Sequence, residues 1–263
     1  MICELLFFDA VDSSLGRVDR ESLPQQTLME MVIDGITNKE RICGDVDEPK
    51  DIEEWKGVEI EDGEVVEINW NVYRLKGSVH LEWLPSSVQY FLVYTNELFG
   101  TIEWTSLPTS MENLDLGTNA FTGPIDLERL PERMEEINIF NNEFCGSLKL
   151  ESLPDTMAHF IAHNNQFSGS VDFTQLPAAL VWLNLLNNQL SGSLDLTSLP
   201  SSMARLNVGN NSFSGTVDLS QLPQELELLN LSYNQLSGEV FVSVALFSGV
   251  DVRNTKIIKR LIE

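Results

Sequence analysis

The sequence is poor in the residues that reactive chemistry needs. It has three cysteines and three histidines among 263 residues. Cys3, Cys43 and Cys145 are far apart and odd in number, so neither a zinc spacing nor a disulfide framework is present. That count fits a reducing compartment. Bases are scarce too: 16 Lys and Arg stand against 40 Asp and Glu, a formal net charge of −24. Residues 1–76 carry 19 acids and 8 bases and residues 77–263 carry 21 and 8, so the charge does not come from one acidic tail. Such a surface serves solubility, repels phosphate backbones and anionic lipid heads, and argues against nucleic acid as a partner. No run of about 18 apolar residues occurs, so no membrane-spanning helix is expected. Met1 to Phe8 is apolar but short, carries Glu4 and lacks a basic start. It does not read as a signal peptide, which favours an intracellular location. There is no phosphate loop, no calcium loop and no nucleophile beside a base. No catalytic residue, cofactor or metal is therefore assigned, and the chain is expected not to be an enzyme.

What the sequence does contain is a repeat. Written in rows of 23, Gly77, Gly100, Gly123, Gly146, Gly169, Gly192, Gly215 and Gly238 fall in one column. Asn96, Asn119, Asn142, Asn165, Asn188, Asn211 and Asn234 fall in a second, and Leu-Pro pairs from Leu84-Pro85 to Leu222-Pro223 in a third. A fixed period of this length marks a solenoid, because one row cannot bury its own apolar face and must stack on its neighbours.

Each row follows L-x-x-L-x-L-x-x-N-x-L, as in Met203, Leu206, Val208, Asn211 and Phe213. This resembles the leucine-rich repeat superfamily. The Ser-Gly after the asparagine is similar to the plant-type subclass, in which a short second strand follows. That subclass has Ile-Pro after the glycine, where this chain has Leu194-Asp195-Leu196 or Val217-Asp218-Leu219. The wording of the rows also resembles leucine-rich repeat proteins of kinetoplastid protists. The fold implied is a β-dominated α/β-type solenoid, a horseshoe with a parallel concave sheet, short second strands and a 3-10 or extended convex side.

The columns have physical roles. Leu206 and Val208 are two apart and share a strand face, which points into the coil. The asparagine amide meets backbone groups that the turn leaves unpaired, so seven of them should form a ladder. Glycine permits positive φ or close approach of the next coil. The residue before each proline must be extended, which rules out a long convex helix. Cys145 takes a turn position that holds Ser or Thr in other rows, as a small packing residue. The sequons Asn210-Asn211-Ser212 and Asn230-Leu231-Ser232 lie inside the repeat frame and are read as structural.

Four segments are expected: a lead-in at 1–23, an N-terminal cap at 24–64, the solenoid at 65–246, and a C-terminal cap strand at 247–263. Residues 24–37 read as a helix, with Pro24 in its first turn and Leu28, Met31, Val32 and Ile36 on one stripe. The order helix, Trp55-Lys56-Gly57-Val58-Glu59-Ile60, then Gly63-Glu64-Val65 resembles the N-terminal cap of plant-type repeat proteins. Ile60 stands where that cap has cysteine. Trp55 is expected in the cap core. In the first, degenerate row Tyr73 replaces the ladder asparagine. Arg253, Lys256, Lys259 and Arg260 form a basic cluster, expected as a solvated edge guarding the last strand.

In the superfamily, residues between the buried leucines line the concave face. The third positions read Glu67, Tyr90, Asn113, Glu136, His159, Trp182, Arg205 and Leu228. The fifth read Asn69, Leu92, Asp115, Asn138, Ile161, Asn184, Asn207 and Asn230, and the seventh include Tyr94, Gly117, Phe140, His163, Leu186 and Gly209. Two apolar patches result: Phe140, His159, Ile161, His163, Trp182 and Leu186, and separately Tyr90, Leu92 and Tyr94. Glu112, Asp115, Glu135 and Glu136 lie between them. Exposed aromatics on a polar surface mark protein contacts. His159 and His163 are four apart on a strand, roughly 13 Å, too far for a zinc ion that needs ligands within about 2.1 Å. The expectation is a monomeric interaction module that binds a protein or peptide. The alternative is an extracellular or cell-surface adhesion or receptor-like ectodomain.

Overall fold

The structure, a computed structural model, describes residues 20–262. The apolar start and residues 1–19 of the expected lead-in lie outside the described residues. Of the remainder, Arg20–Ser22 form a single 3-10 turn, and the Arg20 guanidinium donates to the carbonyls of Ser106 and Leu84.

The rows coil into a solenoid with two parallel sheets. The first has ten strands, from Val58–Glu61 through Glu64–Asn69, Tyr90–Leu92 and onward to Val250–Asp251. Only its first pair, Val58–Glu61 with Glu64–Asn69, is antiparallel. The second has nine strands, from Lys76–Gly77 to Lys256–Leu261. Neighbouring rows pair in strict register, for example His159 with Trp182 and Phe160 with Leu183. A constant row length of 23 makes this possible, because identical positions then meet on adjacent strands.

The core follows the columns. Leu114, Ile137, Phe160, Leu183 and Leu206 are fully buried from the first sheet. Phe121, Phe144 and Phe167, each two places after a ladder asparagine, stack at 6.3 and 6.5 Å. Such burial contributes about 1.5–3 kcal/mol per side chain. Convex 3-10 turns occupy Leu81–Trp83, Trp104–Ser106, Leu127–Arg129 and Leu150–Ser152. They stop at the leucine before each proline, which is extended, as Leu107 is at φ −62° and ψ 140°. Later rows have plain turns there.

Each ladder asparagine bonds two rows. Asn188 Nδ2 donates to Ala162 O and Leu185 O, both at 3.1 Å, and its Oδ1 accepts from Phe167 N at 3.1 Å. The glycine column is a matter of backbone conformation: all eight have φ between 86° and 107°. At Gly77 space matters as well, since a Cβ would lie 2.1 Å from Gly35 O.

Some expectations need correction. The helix expected over 24–37 covers Gln25–Val32 only. The chain leaves it because Gly35 and Ile36 turn to meet the second sheet, where Ser78 N donates to Gly35 O and Ile36 bridges to Gly77. A further helical turn, Glu40–Cys43, was not anticipated. Trp55 is buried, and its Nε1 donates to Lys50 O at 2.7 Å. Cys145 lies in the strand Glu143–Gly146 of the second sheet and not in a turn. The basic cluster does lie at the solvated edge of the second sheet, with Arg253, Lys256 and Arg260 exposed, and it also makes internal contacts. Lys259 Nζ donates to Phe247 O at 2.7 Å and Val250 O at 2.6 Å and sits over the Phe247 ring, while Arg253 pairs with Asp251 and Arg260 with Glu239.

Candidate functional site

The outward face of the ten-stranded sheet carries the third, fifth and seventh positions as ladders. Tyr90 pairs with Asn113, Asn113 with Glu136, Glu136 with His159, and Trp182 with Arg205. Strands of three residues, such as Glu136–Asn138, hold the middle residue inward and present the outer two.

Aromatic contacts connect these positions. The rings of Phe140 and His163 stack at 4.7 Å with 3° between planes. His159 meets Trp182 edge to face at 6.5 Å, and the Arg205 guanidinium lies 5.6 Å above the Trp182 ring. Tyr94 reaches Phe140 at 5.7 Å. The two patches that the sequence separates are therefore one. Gly117 lies between those two rows and has no side chain, and a Cβ there would sit 2.8 Å from Phe140 Cε1. Tyr90, Tyr94, Phe140, His159, His163, Trp182 and Leu186 are all half-buried. Ile161 departs from expectation: at 4% exposure it is covered, and forms the floor of the patch between His159 and His163.

Polar groups fix this surface. Asn184 is buried; its Oδ1 accepts from Leu186 N at 3.2 Å, which turns its Nδ2 toward His163 Nδ1 at 3.2 Å. His163 then accepts at Nδ1 and carries its proton on Nε2. Burial holds its pKa below the ordinary histidine value. The Tyr90 hydroxyl donates to Glu112 Oε2 at 3.0 Å, and that bond, with burial and the charges of Glu112, Glu135 and Glu67, raises its pKa. Burial also raises Asp115, against the N–H of Gly117 and the amide of Asn138, which hold it down. Asn113 Nδ2 donates to Glu136 Oε2 at 3.2 Å, and His159 Nδ1 lies 3.7 Å from that oxygen.

Sequence reasoning missed three features. The fifth-position Asp and Asn residues have a structural role: Asp115, Asn184, Asn207 and Asn230 each accept from the N–H two residues on, locking the turn. Asn141, Asn164, Asn187 and Asn210 form a second, exposed ladder with bonds of 2.6–2.7 Å and left-handed φ. The Asn-Asn dipeptides that recur in four successive rows were the available signal. Arg205 on Trp182 was visible only as a neighbour in the third column. Among the described residues no group of His, Cys, Asp and Glu is arranged to hold a metal ion, and no helix is long and apolar enough to cross a membrane.

No family model matches the chain, and no curated protein matches it. Solved structures do. The plant peptide hormone receptor RGFR1 in complex with RGF2 superposes with a TM-score of 0.52 at 22% identity, over 66% of this chain and 34% of that one. The leucine-rich repeat ectodomain of the Arabidopsis thaliana membrane receptor kinase GASSHO1/SCHENGEN3 in complex with Casparian strip integrity factor 2 gives 0.61 at 18%, over 89% and 36%. A plant ice-binding protein gives 0.54 at 15%, over 91% and 95%. The chain thus spans about a third of the length of those two receptor chains. The stacked 23-residue rows, the paired parallel sheets and these likenesses together give the chain the leucine-rich repeat solenoid fold.

Proposed function

We propose that the chain is a non-enzymatic interaction module that holds a peptide or folded protein on its concave face, as a monomer and without a cofactor. One observation carries the reading: the half-buried aromatic ladder from Tyr94 through Phe140 to His163, with Trp182 alongside, on an otherwise polar sheet face. Rigid aromatic side chains already packed against one another lose little freedom on binding, so their contact area converts well to affinity. The structural relatives crystallised with ligands support a peptide or protein as the class of partner. Net charge argues against nucleic acid. Residues 24–64 and 247–263 act as caps that shield the open ends of the core. The likeness to kinetoplastid repeat proteins rests on the wording of the rows alone.

The likeness to the plant receptor ectodomain also favours a second reading, an extracellular or cell-surface adhesion or receptor-like ectodomain. The buried, unpaired thiol of Cys43 and Ile60 at a cap-cysteine position favour an intracellular protein instead. The test is affinity capture from the source cell with wild-type chain and with Trp182→Ala, at matched melting temperature. Loss of specific partners from the variant is expected. Identical partners at equal affinity would remove the aromatic face from consideration.

A further inference from the structure

The ends of the two sheets differ. The outer strands of the first sheet are short, Val58–Glu61 at one end and Val250–Asp251 at the other. The second sheet is closed at its start, where Ile36 bridges to Gly77 and Thr37 N donates to Lys76 O at 2.8 Å. Its last strand, Lys256–Leu261, pairs with Gln235–Val242 over six residues, where the other pairs of that sheet run over two or three. Ile262 N donates to Val242 O at 3.0 Å. By alternation the N–H and C=O groups of Ile257, Lys259 and Leu261 then turn to the far edge. Thr255 Oγ1 accepts from Ile257 N at 3.1 Å, and among the described residues no strand pairs with that edge.

An open edge alone is only a hazard. Two further observations say what fits it. Five of the ten exposed large apolar side chains among the described residues lie between Phe241 and Ile262, with Ile258 57% exposed in the middle of the strand. Residues 247–263 hold four bases against two acids, in a chain of net charge −24. Lys256 forms no ion pair among the described residues, and Arg260 gives only its Nε to Glu239. Lys256, Ile258 and Arg260 share the outer face, since Ile258 lies beside Glu239 and Arg260 beside Phe241, both exposed. A second copy fits badly: with Ile258 antiparallel to Ile258, each Lys256 faces an Arg260.

We propose that the edge Lys256–Leu261 takes an added strand from a partner protein, an extended segment with two acidic residues four apart and an apolar residue midway between them. The partner's main chain bonds the groups that Ile257, Lys259 and Leu261 turn outward, as when a peptide extends a sheet. Its two acids lie beside Lys256 and Arg260, and the residue between them covers Ile258. This edge belongs to the second sheet and is separate from the concave face.

The probe is a set of fluorescein-labelled peptide pools with two glutamates, two glutamines or two lysines four apart, valine midway between them, and valine, serine or threonine elsewhere. Each is titrated by anisotropy against the full chain. A chain of net charge −24 favours the lysine pool wherever contact is nonspecific, so tightest binding by the glutamate pool is the expected and discriminating result. Lys256→Gln is expected to weaken it about two- to fivefold. Arg133→Gln removes the same charge from an exposed position on another row and is expected to change nothing. Leu261→Pro takes a donor from the open edge and none from the ladder to Gln235–Val242. It is expected to weaken binding about tenfold at an unchanged melting temperature. Should that variant melt lower, N-methylation of the glutamate pool decides: methyls on one alternate set of nitrogens abolish binding and on the other set spare it. The proposal is overturned if the glutamate pool binds no tighter than the lysine pool, if no pool binds, or if both methylated sets bind alike. Sedimentation velocity over a range of concentrations is the last arm. Self-association that Leu261→Pro removes would place a second copy on the edge and overturn the choice of partner.

Discussion

Asn188→Ala tests how the rows are joined. Its amide donates to Ala162 O and Leu185 O, and its oxygen accepts from Phe167 N. The two carbonyls are shared: Ala162 O also accepts from Asn165, and Leu185 O from Asn211. Removing Asn188 leaves each carbonyl with one amide donor. The Phe167 N–H loses its side-chain acceptor, and Phe167 is fully buried. A stranded buried donor costs about 1–3 kcal/mol. In a domain of this size about 2 kcal/mol lowers the midpoint by about 5 °C. Thermal unfolding followed by circular dichroism reads it directly. A double-mutant cycle sharpens the test. Asn165→Ala with Asn188→Ala takes both amides from Ala162 O and should cost more than the sum, by about 0.5–3 kcal/mol. Asn142→Ala with Asn188→Ala shares no carbonyl, since Asn142 donates to Leu116, Ile139 and Phe140. That pair should be additive. An unchanged midpoint for Asn188→Ala, or equal additivity in the two pairs, would refute the shared-carbonyl account.

Three further outcomes are expected. Gly192→Ala forces φ 94° on a residue with a Cβ, 3.2 Å from Ser170 Cβ, and should lower stability by about 1–2 kcal/mol in a urea titration. Asp115 has a folded pKa above its unfolded value, so it costs stability at neutral pH, and the cost fades as pH falls through the folded value. Asp115→Asn should therefore melt above wild type at neutral pH, with the gap closing in acid; Asn138, whose Nδ2 donates to Asp115 Oδ2, accepts from the new amide once its own amide turns over. His163 is the reverse case: its folded pKa lies below the unfolded one, so stability is full above the unfolded value and declines as pH falls through it. His163→Phe should flatten that decline in melting curves taken across the imidazole range.

The solenoid was legible because its cause is periodic. Gly192, Asn188 and Pro200 recur at one interval, and any arrangement that keeps the interval must stack them. Reading third and fifth positions as columns also gave the right neighbours, because strict register turns sequence spacing into spatial adjacency. The errors arose where side-chain length or tertiary pairing decides. Tyr94 and Phe140 are two rows apart and touch only because Gly117 leaves the gap open. Ile161 follows the outward alternation yet is covered by taller neighbours. The helix after Pro24 ends early because the second sheet claims Ile36, a partner forty-one residues further on that no local pattern shows.

The shared carbonyls have a consequence for how such a chain can vary. Each asparagine reaches an oxygen 26 residues back, and the previous asparagine reaches the same oxygen from three residues away. Both meet there only if successive asparagines are 23 apart. A single extra residue inside a turn would pull one amide off its target. Lengthening or shortening is tolerated in whole turns, and anything smaller has to loop out where it leaves the spacing untouched.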